Sequence, residues 1–562
     1  MTDHLPIGPE QVRQAQILLQ RYRSGKRNLE QRILEAEQWY RLRHWECMRP
    51  AQKREVEPVS GWLFNAIANK HASAMDNMPA PAILPREKGD EELAGLLSAI
   101  VPVVLEHNDF EQVYSDVWDS KLRCGTGAYG VFWDRDAYNG LGEVAIRRID
   151  VLNLYWEPGV GDIQDSKNLF HVRLAHKEDL LEKYPQLSGR LDSALELPKY
   201  HYDEGIDTSD KVAVVDWYYK KSVHGRAVLH FCKFVGDTVL FATENEPGYR
   251  ALGWYDHGLY PFLLDPLFRT EGTPCGFGYI DVGKSAQEYI DRGNQAIMMN
   301  LLSNARPRFF LRADGAVNRE EYADLSRDFV TADGNLGADS IRPIEGKSLS
   351  EIYVQVINNK VDELKEVTGN RDISTGGAMG GVTAASAIAA LQEAGSKLDR
   401  DANKASYRVY RRLIAMVIAL IRQFYTAPRC FRIAGEEGMA FLEFSGGELA
   451  GAGEFDISVA AQKASPYSRM SQNELALQFF GAGFFRPEMA SQALMCLDMM
   501  DFDRKDFVAQ AIRSNAVHAG MEALTVNQEK LKSMKKLLTP QKEETKSMRS
   551  ARTRVAESTA PN

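Results

Sequence analysis

Residues 278–305 read GYIDVGKSAQEYIDRGNQAIMMNLLSNA, and two incompatible structures compete for the first eight of them. Gly278-Tyr279-Ile280-Asp281-Val282-Gly283-Lys284-Ser285 satisfies the phosphate-loop pattern GxxxxGK[ST] letter for letter. In such a loop backbone N–H groups cradle phosphates, the lysine reaches the β and γ oxygens, and the hydroxyl holds magnesium. That chemistry needs a buried strand leading in and small residues in the bend. Here RTEGTPCGF leads in without a strand pattern, and Tyr279, Ile280 and Val282 would crowd the cradle. No apolar strand ending in an acidic pair follows to hold the metal. The competing reading is the glycine-marked start of one long helix to Ala305, about 37 Å at 1.5 Å per residue. The second reading organises the rest of the chain.

Beyond Ala305, RPRFFLRADGAV reads as a strand and turn and NREEYADLSRDF as a short helix. A second long helix runs from Leu349 to about Val367 and stops at Gly369, since glycine takes the left-handed cap. Then GGAMGGVTAASAIAALQEAGSKLDRD, Gly376 to Asp401, places four glycines in six residues at the head of a third helix. In that helix, from Thr383 to about Thr426, Leu391, Leu398, Ala402, Ala405, Val409, Leu413, Met416 and Leu420 form one apolar stripe, and Pro428 stops it.

Upstream, helices are expected over residues 10–48, Ser60–Met75 and about Asp90–Arg123, with Pro79, Pro81 and Pro85 forcing an extended segment between the last two. CGTGAYGVFWDRD turns into a strand, and GEVAIRRID reads as another. VAVVDWYYK, RAVLHFCKF and DTVLFAT, joined by turns at His224-Gly225 and Gly236-Asp237, predict an antiparallel meander. A small β segment (CFRIAGEEGMAFLEFSG, then EFDISVAAQ) and helices from Ser471 to about Leu538 complete the chain, with a basic end expected to be disordered. The fold class is α+β and helix-rich.

At 562 residues the chain predicts two to four domains. Net charge −9 argues against a protein that grips DNA over its whole surface. The longest apolar run, Leu413–Ile421, falls far short of a membrane span. The first residues lack a secretory pattern, so a cytoplasmic, non-membrane protein is expected. Six dispersed cysteines without CxxC and eleven histidines without HExxH predict neither a disulfide framework nor a metal site. Gly125-Thr126-Gly127-Ala128-Tyr129-Gly130 matches GxGxxG, but a helix precedes it and a strand follows, the reverse of the dinucleotide-binding order. GxSxG is absent. No catalytic residue, cofactor or metal is expected. An ATPase resting on Gly278–Ser285, such as a packaging motor subunit, is the alternative.

Five passages in order carry a resemblance. VSGWLFNAIANKHASAMDNMPAPAILPRE is a helix followed by a proline-rich extended segment, LRCGTGAYGVFWD a helix–glycine–strand passage, and RRIDVLNLYWEPGVGDIQD a strand ending in an aromatic-Glu-Pro turn. YPFLLDPLFRTEGTPCGFGYIDVGKSAQEYIDRGNQ leads into the first long helix, and FDISVAAQKASPYSRMSQNELALQFFGAGFF follows the last small strands. Together they resemble the portal proteins of tailed bacteriophages over nearly the whole chain. The sequence departs from their commonest form at Asp291, where many relatives have Asn.

The resemblance implies a portal-like fold with wing, stem, clip and crown, assembled as a ring of about twelve copies at one capsid vertex. It implies an N-terminal wing at 1–280, stem helices at 281–305 and 349–370, and a clip at 306–348 between them. A tunnel loop at 371–382, a long helix and C-terminal wing at 383–465, a crown at 466–540 and a basic tail at 541–562 follow. Asp372, Ser374, Thr375, Gly376, Gly377, Met379, Gly380 and Gly381 would form the loop facing the channel. Glycine supplies backbone freedom there, and the neutral Ser374, Thr375 and Met379 hold no phosphate. Arg306, Arg308 and Arg312 at the clip boundary either contact DNA or an acidic partner or form a solvated face. Implied partners are double-stranded DNA passing through the channel without sequence preference, the terminase large subunit, a tail adaptor, and the major capsid protein with its scaffold. The implied location is the virion, after synthesis in the bacterial cytoplasm.

Overall fold

A computed structural model describes residues 6–48, 56–305 (apart from 88, 190, 192–208 and 224), 308–311, 318, 320–321, 324, 331, 341–344, 351–370, 397–463 (apart from 436–437 and 450–454), 476–498 (apart from 485) and 508–514. The chain divides into two compact units, Met1–Gln462 and Lys463–Asn562.

The first unit opens with α1 (Pro9–Tyr40), whose Val12, Ala15, Leu19 and Tyr22 recur at helical spacing and are buried. The helix ends where Leu42 adopts a positive φ of 59°, so a separate turn, His44–Cys47, replaces the last part of the helix expected to residue 48. Next come α2 (Trp62–Met75), β1 (Asn77–Leu84, the proline-rich segment), α3 (Glu91–His107) and α4 (Phe110–Cys124). The break between α3 and α4 falls at Asp109, at φ 48°, a left-handed conformation that aspartate tolerates better than most residues. Gly125 then caps α4 in the left-handed region at φ 86°. A Cβ there would lie 2.4 Å from the Phe277 backbone, so glycine is required twice over.

Strands β2 (Thr126–Asp134) and β3 (Glu143–Arg148) pair antiparallel, and β4 (Leu154–Trp156), β5 (Asn168–His176), β6 (Lys211–Val223), β7 (Arg226–Val235) and β8 (Thr238–Ala242) form a five-stranded meander. Gly225 and Gly236, in the connections β6–β7 and β7–β8, take positive φ of 80° and 52°; His224 lies outside the described residues. Strand β9 (Phe262–Pro266) joins β2 on the edge opposite β3. The α1 stripe packs on Phe170, Val172, Val215, Trp217 and Phe234 of the meander. One turn further on, the buried Lys26 ammonium donates to the Val151, Leu152 and Leu154 carbonyls at 2.5, 3.1 and 2.7 Å, and burial lowers its pKa to about 8.

Helix α5 (Tyr279–Ala305) then leads to a two-stranded ladder of β10 (Arg308–Leu311) and β11 (Ile341–Ile344), and α6 (Ile352–Thr368) returns. Helices α5 and α6 pack antiparallel: a Cβ at Gly293 would lie 2.8 Å from Ile357, and Lys360 stands over the Tyr289 ring. Gly369 closes α6 at φ 66°, as its sequence position predicts. Helix α7 (Lys397–Phe424) buries Leu413, Ile414, Val417, Leu420 and Ile421 in the main core. The N-terminal part of the expected helix, before residue 397, lies outside the described residues. The hairpin β12 (Arg429–Gly435) and β13 (Gly438–Phe444) follows, and β14 (Asp456–Lys463) pairs with β1. In the second unit, α8 (Ala490–Asp498) packs Ala493 and Leu497 against Phe479 and Ile512.

Candidate functional site

The eight residues that imitate a phosphate loop are the cap and first turns of α5. Helix begins at Tyr279, so the loop that would wrap a phosphate does not exist. The Gly278 amide donates to Asp281 Oδ2 at 3.0 Å, which satisfies one of the orphan donors of a helix start. Tyr279 and Ile280 are core residues. A Cβ on Gly283 would stand 2.4 Å from Leu63 Cδ2, so this glycine lets α5 approach α2. Lys284 Nζ pairs with Glu35 Oε1 at 3.1 Å. Gly278 thus caps the helix, Gly283 permits its packing and Lys284 makes an ion pair. The same holds at GxGxxG, where a Cβ on Gly127 would meet Val117 at 2.4 Å and one on Gly130 would meet Phe132 at 2.4 Å.

About three turns along α5, Asp291 is fully buried. It accepts from His44 Nδ1 at 2.5 Å, from the Ser60 amide and hydroxyl at 3.1 and 2.8 Å, and from Gln287 Nε2 at 3.0 Å. Asp291 therefore joins α5 to the segments before α2.

A second polar cluster fixes both helices that flank residues 371–396. Lys70, on the buried side of α2, donates to the Gly369 carbonyl at 3.3 Å and to Asp399 Oδ1 at 2.7 Å. Ser73 Oγ reaches Asp399 Oδ2 at 3.3 Å, and Asn69 Nδ2 reaches Asn370 Oδ1 at 3.3 Å. The end of α6 and the start of α7 are thus held on one short helix. Two turns further along α7, Ser406 meets a wholly buried cation. Lys121 of α4 donates to Ser406 Oγ at 2.6 Å and to Asp265 Oδ1 of β9 at 2.9 Å, above the Trp118 ring. The Ser406 hydroxyl donates to Asp265 Oδ2 in turn. Burial lowers the Lys121 pKa, and the Asp265 carboxylate beside it opposes that shift. Buried ion pairs of this kind hold geometry more than they add stability, because desolvation offsets much of the attraction.

Sequence reasoning did not single out Lys70, Lys121, Asp265 or Asp399. The available signal was a lysine on the apolar face of an amphipathic helix: Lys70 beside Ala66, Ile67 and Ala74, and Lys121 beside Val117, Trp118 and Leu122. Of the residues it did single out, Asp372, Ser374, Thr375, Gly376, Gly377, Met379, Gly380, Gly381, Arg306 and Arg312 lie outside the described residues. Arg308 opens β10, opposite Ile344. Among the described residues no group of three or more His, Cys, Asp or Glu is placed to hold a metal ion. No single helix among them is long and apolar enough to cross a membrane.

No curated protein matches the sequence. A family model described as phage P22-like portal protein matches residues 65–251 and 226–561, from α2 through the meander, the α5–α6 pair and α7 into the second unit. The chain belongs to the P22-like portal protein family of phages.

Proposed function

We propose that this portal protein assembles about twelve copies into a ring at one capsid vertex, forming the channel through which viral DNA enters and leaves. Residues 281–305 and 349–370 are its stem, 306–348 its clip, 371–382 its channel loop and 466–540 its crown. The clip docks the terminase large subunit during packaging and a tail adaptor afterwards, and capsid protein and scaffold surround the wing. The role is structural, without catalysis.

The observation that carries this reading is the surface of α5 and α6. No charged residue occurs between Gly293 and Ala305 or between Ile352 and Asn359. Leu301, Leu302, Ile352, Tyr353, Val354 and Val356 are all exposed there. An apolar surface on two packed antiparallel helices fits a neighbour of the same kind. A ring, in which each copy offers one face and receives the other, supplies such a neighbour on both sides.

The cluster around Lys70 supports the placement of the loop. The described residues on either side of 371–396, Gly369 and Asp399, are both held by Lys70 of α2, so the segment containing the loop leaves from and returns to one helix. Deleting Gly376–Gly381 is expected to leave rings intact and to reduce packaged DNA. DNA-filled heads at the wild-type level would remove the loop assignment.

A further inference from the structure

Helix α7 divides its surface between two chemistries. Leu413, Ile414, Val417, Leu420 and Ile421 face the core. At about 100° per residue, Arg400, Lys404, Arg408, Arg411 and Arg412 fall together on the opposite arc, and all five are exposed. Asp401 is the single acidic residue on that arc, since Asp399 is turned to Lys70. Arg412 is paired with Asp162 at 3.0 Å. Lys404, Arg408 and Arg411 make no ion pair or hydrogen bond among the described residues. In a chain with 77 Asp and Glu against 68 Lys and Arg, an arc of five cations and one acid runs against the general composition.

We propose that Lys404, Arg408 and Arg411 of α7 form a contact surface for the phosphate backbone of double-stranded DNA. The choice of nucleic acid rests on the portal reading above. At 1.5 Å per residue the stripe from Arg400 to Arg411 is about 16 Å long. A duplex carries one phosphate about every 1.7 Å of axis, so that length faces roughly ten phosphates over both strands. Three cations without an ion-pair partner among the described residues, at steps of four and three residues, track such a line without reading bases. Contacts of this kind position a duplex and carry no sequence information. They also give the negatively charged chain a local site that can hold DNA while the remainder repels it.

The test is binding of a short fluorescent duplex to the full-length protein between about 50 and 200 mM salt. Wild type is compared with the triple variant Lys404→Gln, Arg408→Gln, Arg411→Gln, and the mass of each assembly is measured in parallel. The slope of log affinity against log salt should fall in magnitude by about 0.9 per lost contact, about 2.7 in all, with at least tenfold weaker binding at about 100 mM salt. The charge-preserving variant Lys404→Arg, Arg408→Lys, Arg411→Lys should keep the wild-type slope, and it controls for damage to folding. An unchanged slope in the triple variant, or a wild type that binds no duplex at low salt, would overturn the proposal. So would a folded triple variant that loses assembly and keeps its DNA slope, which would assign the arc to a neighbouring copy. A wild type that binds duplex with the expected slope but forms no rings, alone or mixed with capsid protein and scaffold, would instead remove the ring and channel reading and leave this surface standing.

Discussion

Lys121 shows how much of this structure rests on single buried charges. Its ammonium is wholly enclosed, with Asp265 and Ser406 as its polar partners and Trp118 beneath. Lys121→Met would keep the volume and leave the Asp265 carboxylate buried without its cation. The expected cost is about 3–5 kcal/mol, read as a lower urea midpoint at unchanged slope, and the double variant with Asp265→Leu should recover much of it. A loss below about 1 kcal/mol in the single variant would show that the pair does not hold α7. Two histidines add a dependence on pH. Burial lowers His171 to about 4 despite Asp216 beside it, with Arg173 and Lys233 favouring the neutral ring, and burial also lowers His257 to about 4, near Lys220. Both lie below the ordinary value of 6.5, so between pH 6.5 and 4 the unfolded chain binds more protons than the native one. Their contribution is complete above pH 6.5 and is lost as pH falls toward 4. Denaturation midpoints should drop across that window, and His257→Gln should make the drop shallower; an unchanged slope would remove His257 as a contributor.

At the scale of elements, Gly283 and Lys284 separate packing from chemistry in one motif. Gly283→Ala would push a methyl into Leu63 and force α5 away from α2, at about 1–3 kcal/mol. Lys284→Ala removes a partly exposed pair with Glu35 and should cost less than about 1 kcal/mol. Neither variant nor wild type should bind ATP in an equilibrium assay; binding lost in Lys284→Ala would restore the phosphate loop. Elements of this kind were legible in the sequence because their signals are local. The α7 stripe, the Gly369 cap, the meander turns and the reversed order around Gly125 need only neighbours within a few residues. The polar clusters were not legible, since Lys70 meets Asp399 and Lys121 meets Ser406 only after about three hundred residues of chain have folded between them. Nor was the break at Asp109, because a positive φ at a non-glycine residue leaves no pattern in the surrounding sequence.

At the scale of the whole molecule, the family match and the exposed apolar surface of α5 and α6 lead to the same expectation. The described chain has enough core to fold, with α1 on the meander and α7 through the centre, but the paired helices leave Leu301, Ile352 and Val354 in water. Exposure on that scale is corrected by association. The clusters at Asp291 and Lys70 bind those helices to the body, so contacts made by the pair would be transmitted to α2 and α7. The most direct measurement is the mass of the full-length protein in solution together with electron microscopy of the same sample. Closed rings of about a dozen copies around an open central hole are predicted. A protein that stays monomeric or dimeric at every concentration, and also when mixed with its capsid protein and scaffold, would contradict the ring and the channel with it.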